Sequence, residues 1–154
     1  MRPASDPANP APMPAPVERL VFVEVFAGHD IVLQATPMGR DLSVALSGGS
    51  LSHIGAVAVA QPRPSLADPA RCSATTSVIA LVGHKEDLLA HRLAGRIAAA
   101  TGAVVALSCG IHYDNLAKTE IAEIDRITDR LVDRLLAAIS RPPQISANQR
   151  DQEP

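Results

Sequence analysis

The sequence predicts an α+β fold: a mostly antiparallel sheet of about six strands with two helices packed on one face, in the order βββββαβα. Three observations carry this. The first half holds five short apolar runs with strand periodicity, joined by brief polar or glycine-containing connections. The period then lengthens to three or four residues over LLAHRLAGRIAAAT and again over IAEIDRITDRLVDRLLAAI. Between those two stripes lies AVVALSCG, a continuous apolar run of the kind found in the middle of a sheet.

VERLVFVEVFAG (17–28) alternates, with Leu20, Phe22 and Glu24 on one side and Val21, Val23 and Val25 on the other, and Gly28 ends it. DIVLQAT follows as a second strand, then the turn-like Pro37-Met38-Gly39-Arg40. DLSVALSGG is the third strand, closed by Gly48-Gly49, and IGAVAVAQP (54–62) is the fourth. RPSLADPARCSA, with two further prolines, reads as an exposed loop, and TTSVIALVG (75–83) is the fifth strand. Short connections argue that consecutive strands are antiparallel neighbours. The first helix is expected from Lys85 to Thr101 with Leu89, Leu93, Ile97 and Ala100 inward, stopped by Gly102. The second buries Ile121, Ile124, Ile127, Leu131, Leu135 and Ile139, and Asp114 or Asn115 is placed to cap it. Glu123–Arg126, Arg126–Asp129 and Arg130–Asp133 sit at i,i+3 on its outer side.

Six of the 13 prolines fall within the first 16 residues, alternating with alanine, so residues 1–16 read as a disordered or polyproline II tail. Residues 141–154 are polar and read as a second tail, which leaves 17–140 as a single domain. No apolar stretch is long enough for a membrane span, and no secretory h-region follows Arg2. The formal charge of −2 argues against a nucleic-acid surface. With no secretory signal, the two cysteines, Cys72 and Cys109, read as reduced thiols of a cytoplasmic protein.

Three segments break the apolar pattern: SGGSLSHIG (47–55), GHKED (83–87) and GIHYDN (110–115). Each follows a strand and each carries one histidine, His53, His84 or His112. If the strands before GHKED and GIHYDN are parallel neighbours joined by the first helix, both motifs emerge at one sheet edge, where ligands commonly sit. Gly48-Gly49 would let backbone N–H groups approach an anion. The helix opening at Lys85 offers unpaired N–H groups and a positive dipole end, a phosphate site. Glu86 and Asp87 stand in that same turn: they are either ordinary helix-start acids or partners of a divalent cation that bridges to the phosphate. His84, His112 and Asp114 are the ligand types for such a cation, while Asp114 and Asn115 also read as plain caps. There is no P-loop, HExxH or CxxC spacing, and no GxSxG elbow surrounds Ser108-Cys109-Gly110. His29 and His91 read as surface residues and Cys109 as core.

Taken in order, GGSLSHIGAVAVA, TTSVIALVGHKEDLLA and GIHYDNLAKTEI resemble the prenylated-flavin chaperone family, LpdD-like proteins typified by the small D-type subunit of bacterial gallate decarboxylase. The similarity runs from about Gly48 to Leu136. It implies an α+β homodimer related in shape to small proteasome-assembly chaperones. It also implies a non-catalytic accessory protein that binds prenylated FMN, or FMN. Such a protein helps deliver the cofactor to, or mature it in, a UbiD-type aromatic acid decarboxylase. A UbiX-type prenyltransferase makes the cofactor and is an indirect partner.

The resemblance and the residue chemistry together place the phosphate at Gly48, Gly49 and the His84-Lys85 turn. His53, His112 and Asn115 would meet the polar ring edge, Tyr113 or Ile54 would supply a flat wall, and Ser50, Gly83, Glu86 and Asp114 belong to the same cofactor site. Two rival readings remain. One is a small metal-assisted hydrolase or decarboxylase using His84, His112 and Asp114. The other is a protein-only assembly factor that holds the decarboxylase without a ligand.

Overall fold

The computed structural model describes residues 18–83 and 85–140; the tails expected at 1–16 and 141–154 lie outside the described residues. Five strands come first: β1 (Leu20–Phe26), β2 (His29–Met38), β3 (Asp41–Gly49), β4 (Ala56–Pro64) and β5 (Cys72–Ala80). Helix α1 (Asp87–Thr101), strand β6 (Val105–His112) and helix α2 (Lys118–Ile139) complete the order βββββαβα.

Local chemistry explains the boundaries. Ala27 and Gly28 both take positive φ (49° and 78°), the two-residue turn whose twist suits a hairpin. Gly102 adopts the left-handed conformation (φ 68°) and its N–H reaches Ala98 O, which ends α1 as expected. The loop expected from residue 63 is shorter than its prolines suggested. Pro62 and Pro64 remain in β4, paired with Ala74 and Cys72, because β4 has left β6 behind at Ala60 and a missing donor on that side breaks no ladder bond.

The six strands lie in the order β1-β2-β3-β6-β4-β5. Strand β6 runs parallel to β3 and antiparallel to β4, so it is central, as its unbroken apolar run predicts. Among β1 to β5, consecutive strands are antiparallel neighbours except β3 and β4, which β6 separates. Strands β5 and β6 are parallel in direction but not neighbours, since β4 lies between them.

Both helices cover one sheet face. Helix α1 packs on β4, β5 and β6, and α2 on β1 and β2. The core joins Ile31, Leu33 and Leu46 of the sheet to Leu93 and Ile97 of α1 and Leu131 and Leu135 of α2. Each such fully buried aliphatic side chain contributes about 1.5–3 kcal/mol. The ends of the expected α2 stripe, Ile121 and Ile139, are not buried.

The charged face of α2 also differs from simple helix spacing. Glu123–Arg126 forms at 2.9 Å, but Arg130 turns to Glu24 of β1 at 2.7 Å. Asp129 is held by Arg92 at 2.5 Å, and Asp133 by Arg96, both from α1. Cross-element partners are closer than the helical ones, so these charges tie α2 to β1 and α1. Among the described residues, no helix is long and apolar enough to cross a membrane.

Candidate functional site

Because β3, β5 and β6 point the same way, their C-terminal ends share one sheet edge, and the loop entering β4 returns along it. Gly49 stands opposite His112 in the β3–β6 register. All three polar segments therefore meet at this edge, and the 47–55 loop needs no detour to reach it.

The glycines there are consumed by close packing. A β-carbon on Gly48 would lie 2.7 Å from Asp30 O, and one on Gly49 (φ +83°) would lie 1.9 Å from His112 O. Ser50 fastens the same corner, its N–H and hydroxyl both donating to His112 O (2.9 and 3.2 Å). Gly110, which sequence reasoning passed over, lets the 51–55 loop pass: its β-carbon would meet His53 O at 1.9 Å. Only Gly83 (φ +86°) has open space around it within this set, with nothing within 4 Å of a β-carbon.

Glu86 is more than a helix-start acid. Its Oε1 lies 3.0 Å from His53 Nε2, with the two side chains only 14% and 18% exposed. Its Oε2 accepts the Lys85 N–H at 2.9 Å, and Gly55 is the residue that leaves room for the carboxylate. The Nδ1 of His53 lies 3.2 Å from Leu51 O, which fixes the ring with its Nε2 toward Glu86. The His53 and His112 rings meet edge to face, 6.1 Å apart. His112 Nε2 in turn lies 3.2 Å from Asp114 Oδ1 on the exposed side.

Neither Asp114 nor Asn115 caps α2, in contrast to the sequence expectation. The N-cap is Ala117, whose N–H is taken by Glu120 at 2.8 Å, while Asn115 occupies a left-handed turn (φ 56°) before it. His84 lies outside the described residues. Among those described, no group of three or more His, Cys, Asp or Glu side chains is arranged to hold a metal ion.

A cavity of about 480 Å³ opens between the start of α1, the end of β6 and the first turns of α2. That lies within the roughly 300–1,000 Å³ range of small-molecule sites. Five expected residues line it: Gly83, Lys85, Glu86, His112 and Tyr113. Its apolar walls are Leu88, Leu89, Ile111, Leu116, Ile121 and Ile124, with Asp125 at the rim. Sequence reasoning assigned Leu89, Ile121 and Ile124 to the core. Leu88 and Leu116 carried a signal, since each is an apolar residue off the helical stripe beside a polar motif. Gly48, Gly49, Ser50, His53, Ile54, Asp114 and Asn115 stand outside the lining, Ile54 being exposed at the entry to β4.

Two features suit this cavity to an anion joined to a flat apolar group. Among the described residues no side chain caps the first turn of α1, so its N–H groups face the cavity end beside Lys85. The Glu86 carboxylate, which would otherwise repel an anion, is turned toward the His53 ring, 3.0 Å from its Nε2. Tyr113 forms one end, its hydroxyl donating to Phe26 O at 3.0 Å and its ring edge-on to Phe26 at 5.4 Å. Burial, and then Asp30, push its phenol pKa upward. Cys109 lies beneath the site, and burial, with a smaller contribution from Glu86, pushes its thiol up to about 12. A thiol so placed stays protonated and is a poor nucleophile.

A search of curated proteins finds no match. A chain of a crystal structure described as a novel chaperone complex for yeast 20S proteasome assembly superposes with a TM-score of 0.51 at 13% identity, covering 80% of this chain and 98% of that one. At that identity the likeness shows the fold alone. Residues 26–140 match the family described as the prenylated flavin chaperone LpdD-like domain. The match takes in every strand after β1, both helices and all three polar segments, and the chain belongs to this family of prenylated flavin chaperone domains.

Proposed function

We propose that this protein is a non-catalytic chaperone that binds prenylated FMN in the cavity between α1, β6 and α2 and hands it to a UbiD-type decarboxylase. The observation that carries the proposal is the convergence of Lys85, the uncapped start of α1 and His112 on one apolar-walled cavity in a flavin-chaperone domain. The phosphate would take the helix start and Lys85. The ring system would lie along Ile111, Leu116, Ile121 and Ile124, with His112 and Tyr113 at its polar edge. Gly48, Gly49 and Ser50 act on this reading by fixing the backbone of His112, and His53 by holding Glu86. Asp114 orients the outer face of His112, and Asn115 sets the turn into α2. The bound group supplies a reactive flavin to the acceptor enzyme, and this chain excludes solvent from one side of it.

The proposal carries with it a homodimer working in the cytoplasm, supplied by a UbiX-type prenyltransferase. Anaerobic titration with FMN and prenylated FMN, with and without a divalent cation, tests it. Prenyl-dependent binding that is weakened about tenfold or more in Lys85→Ala and in His84→Ala is the expected result. No binding of either flavin would refute it.

A second reading is favoured by one observation. Leu51, Ile54, Leu81, Val82 and Leu88 form an exposed apolar rim at the same edge. Such a rim suits a protein partner, and it is what a protein-only assembly factor would need. Under that reading, a decarboxylase would bind with or without flavin, and Val82→Glu would abolish its binding while leaving any flavin affinity unchanged.

A further inference from the structure

The two edges of the sheet are finished differently. On β1 the turn at Ala27-Gly28 makes Phe26 and His29 the closing hydrogen-bonded pair, so alternation turns the N–H and C=O groups of Val21, Val23 and Val25 outward. Helix α2 covers that edge. Arg134 Nη1 donates to Val23 O at 3.1 Å with its guanidinium over the Phe22 ring, and Arg130 holds Glu24 at 2.7 Å. Strand β5 is the other edge. Just past it the Leu81 N–H reaches Gly55 O at 2.8 Å, which fixes the alternation there. Ser73, Thr75, Ser77 and Ile79 bond to β4, while Ala74, Thr76, Val78 and Ala80 turn their N–H and C=O groups away from it. Pro62 and Pro64 agree with this, since they stand opposite Ala74 and Cys72, where β4 owes β5 no donor. Among the described residues nothing pairs with these outward groups. The strand, CSATTSVIA, also lacks the charges and prolines that ordinarily blunt an edge.

We infer that the β5 edge receives an extended segment of a partner protein, added as an antiparallel strand that is apolar at its start and acidic at its end. Arg71, at the head of β5, selects the acid. Its backbone is pinned on both sides, the Ser65 N–H donating to Arg71 O at 2.8 Å and its own N–H to Asp68 O at 2.9 Å. Asp68, the one acid of that loop, turns Oδ1 to the Ala70 N–H at 3.1 Å, and Arg71 forms no ion pair among the described residues. A cavity of about 410 Å³ beside Arg71, walled by Pro62, Pro64 and Pro69, gives the acidic end room.

At the other end of the edge, Ile79, Leu81 and Val82 are exposed apolar residues. Antiparallel pairing, the stronger geometry per residue, sets the first residues of the segment beside them and the last beside Arg71. A second copy of this chain fits the edge less well, because β5 carries no acid to meet Arg71. The strand leads through Val82 to Gly83, which lines the cavity between α1, β6 and α2, so the segment begins beside that cavity. The pairing itself requires no flavin.

Calorimetric titration and hydrogen exchange of the full chain without flavin test this. The probe is a short synthetic peptide of alternating valine and threonine ending in two aspartates, with alternate amides N-methylated so that only one of its edges can pair. Saturable binding is expected, with slowed exchange at the Ala74, Thr76 and Val78 amides and slowed thiol labelling of Cys72, which lines the cavity at Arg71. A peptide ending in two lysines should bind about fivefold more weakly, and Arg71→Glu should reverse that order. Thr76→Pro keeps every bond to β4, because the N–H it removes points outward. It should weaken the peptide about tenfold or more with an unchanged circular dichroism spectrum, and Ala74→Pro, opposite Pro62, is a second variant of the same kind. Absence of binding, or wild-type affinity in a folded proline variant, overturns the proposal. Protection of the outward β5 amides that grows with protein concentration in peptide-free samples would assign the edge to a second copy and overturn it as well. Indifference to Arg71→Glu overturns the acidic end of the segment.

Discussion

Gly110→Ala is a sharp test of how the site is assembled. Gly110 is in β6 without a positive φ, so the backbone conformation itself tolerates alanine. Judged by strand propensity alone, the change should stabilise the protein by roughly 0.5–1 kcal/mol, since glycine loses more chain entropy on folding. The packing predicts the opposite sign. The added carbon would stand 1.9 Å from His53 O, well inside van der Waals contact, and the obstacle is backbone that cannot rotate away. The 51–55 segment would have to withdraw by about 1 Å or more to reach ordinary contact. That movement stretches the Gly55 N–H to Cys109 O bond, now 2.8 Å, and the His53–Glu86 contact at 3.0 Å. Overpacking together with a weakened buried hydrogen bond costs about 2–4 kcal/mol. Urea denaturation would measure the loss, and histidine ring resonances would report the displacement of His53. A variant as stable as wild type, with His53 unshifted, would refute the close approach of β6 and the 51–55 loop.

Other outcomes follow from the same structure. Under native conditions a thiol reagent should modify exposed Cys72 and leave Cys109 unreacted until unfolding, as mass spectrometry would show. The Cys109 thiol has a folded-state pKa raised to about 12 from 9.0. Its contribution to stability is therefore complete below about pH 9 and declines above it, because the unfolded chain loses the proton first. The slope is about 1.4 kcal/mol per pH unit between these values, and Cys109→Ala should flatten that part of the stability–pH curve. Ile121→Lys, at a half-exposed cavity wall, should leave the denaturation midpoint within about 0.5 kcal/mol of wild type but weaken prenylated FMN binding at least tenfold. Lys85→Ala should weaken phosphate-bearing flavin by about tenfold and riboflavin hardly at all, measured by fluorescence titration. Equal losses for the two flavins would move the phosphate away from Lys85.

The strands were legible because each is short, alternates and ends at a turn residue, as DLSVALSGG does from Asp41 to Gly49. The central place of β6 was legible from its unbroken apolar run. Its insertion between β3 and β4 was not, because strand order is a non-local property and nothing in SGGSLSHIG marks a neighbour more than 50 residues onward. The meeting of the three polar segments was legible in part, from their positions after strands. What the sequence concealed was division of labour within them. Gly48 and Gly49 read as ligand-approach glycines, but in space they accommodate Asp30 and His112. Glu86 read as a helix acid, and its tie to His53 joins residues 33 positions apart. The cavity walls were hidden for a different reason. Leu89 and Ile124 obey the helical period, and period alone does not distinguish a side chain facing a core from one facing a cleft.

The central position of β6 has a consequence for how the chain comes together. Strands β1 to β3 and the β4–β5 hairpin emerge from the ribosome as two separate pieces, each with a frayed inner border. Neither can be joined to the other until residues 105–112, late in the chain, slide between them and pair on both sides at once. Closure of the sheet therefore waits for β6 to be made, and a chain cut short before Val105 would leave two unmatched borders open to wrong partners.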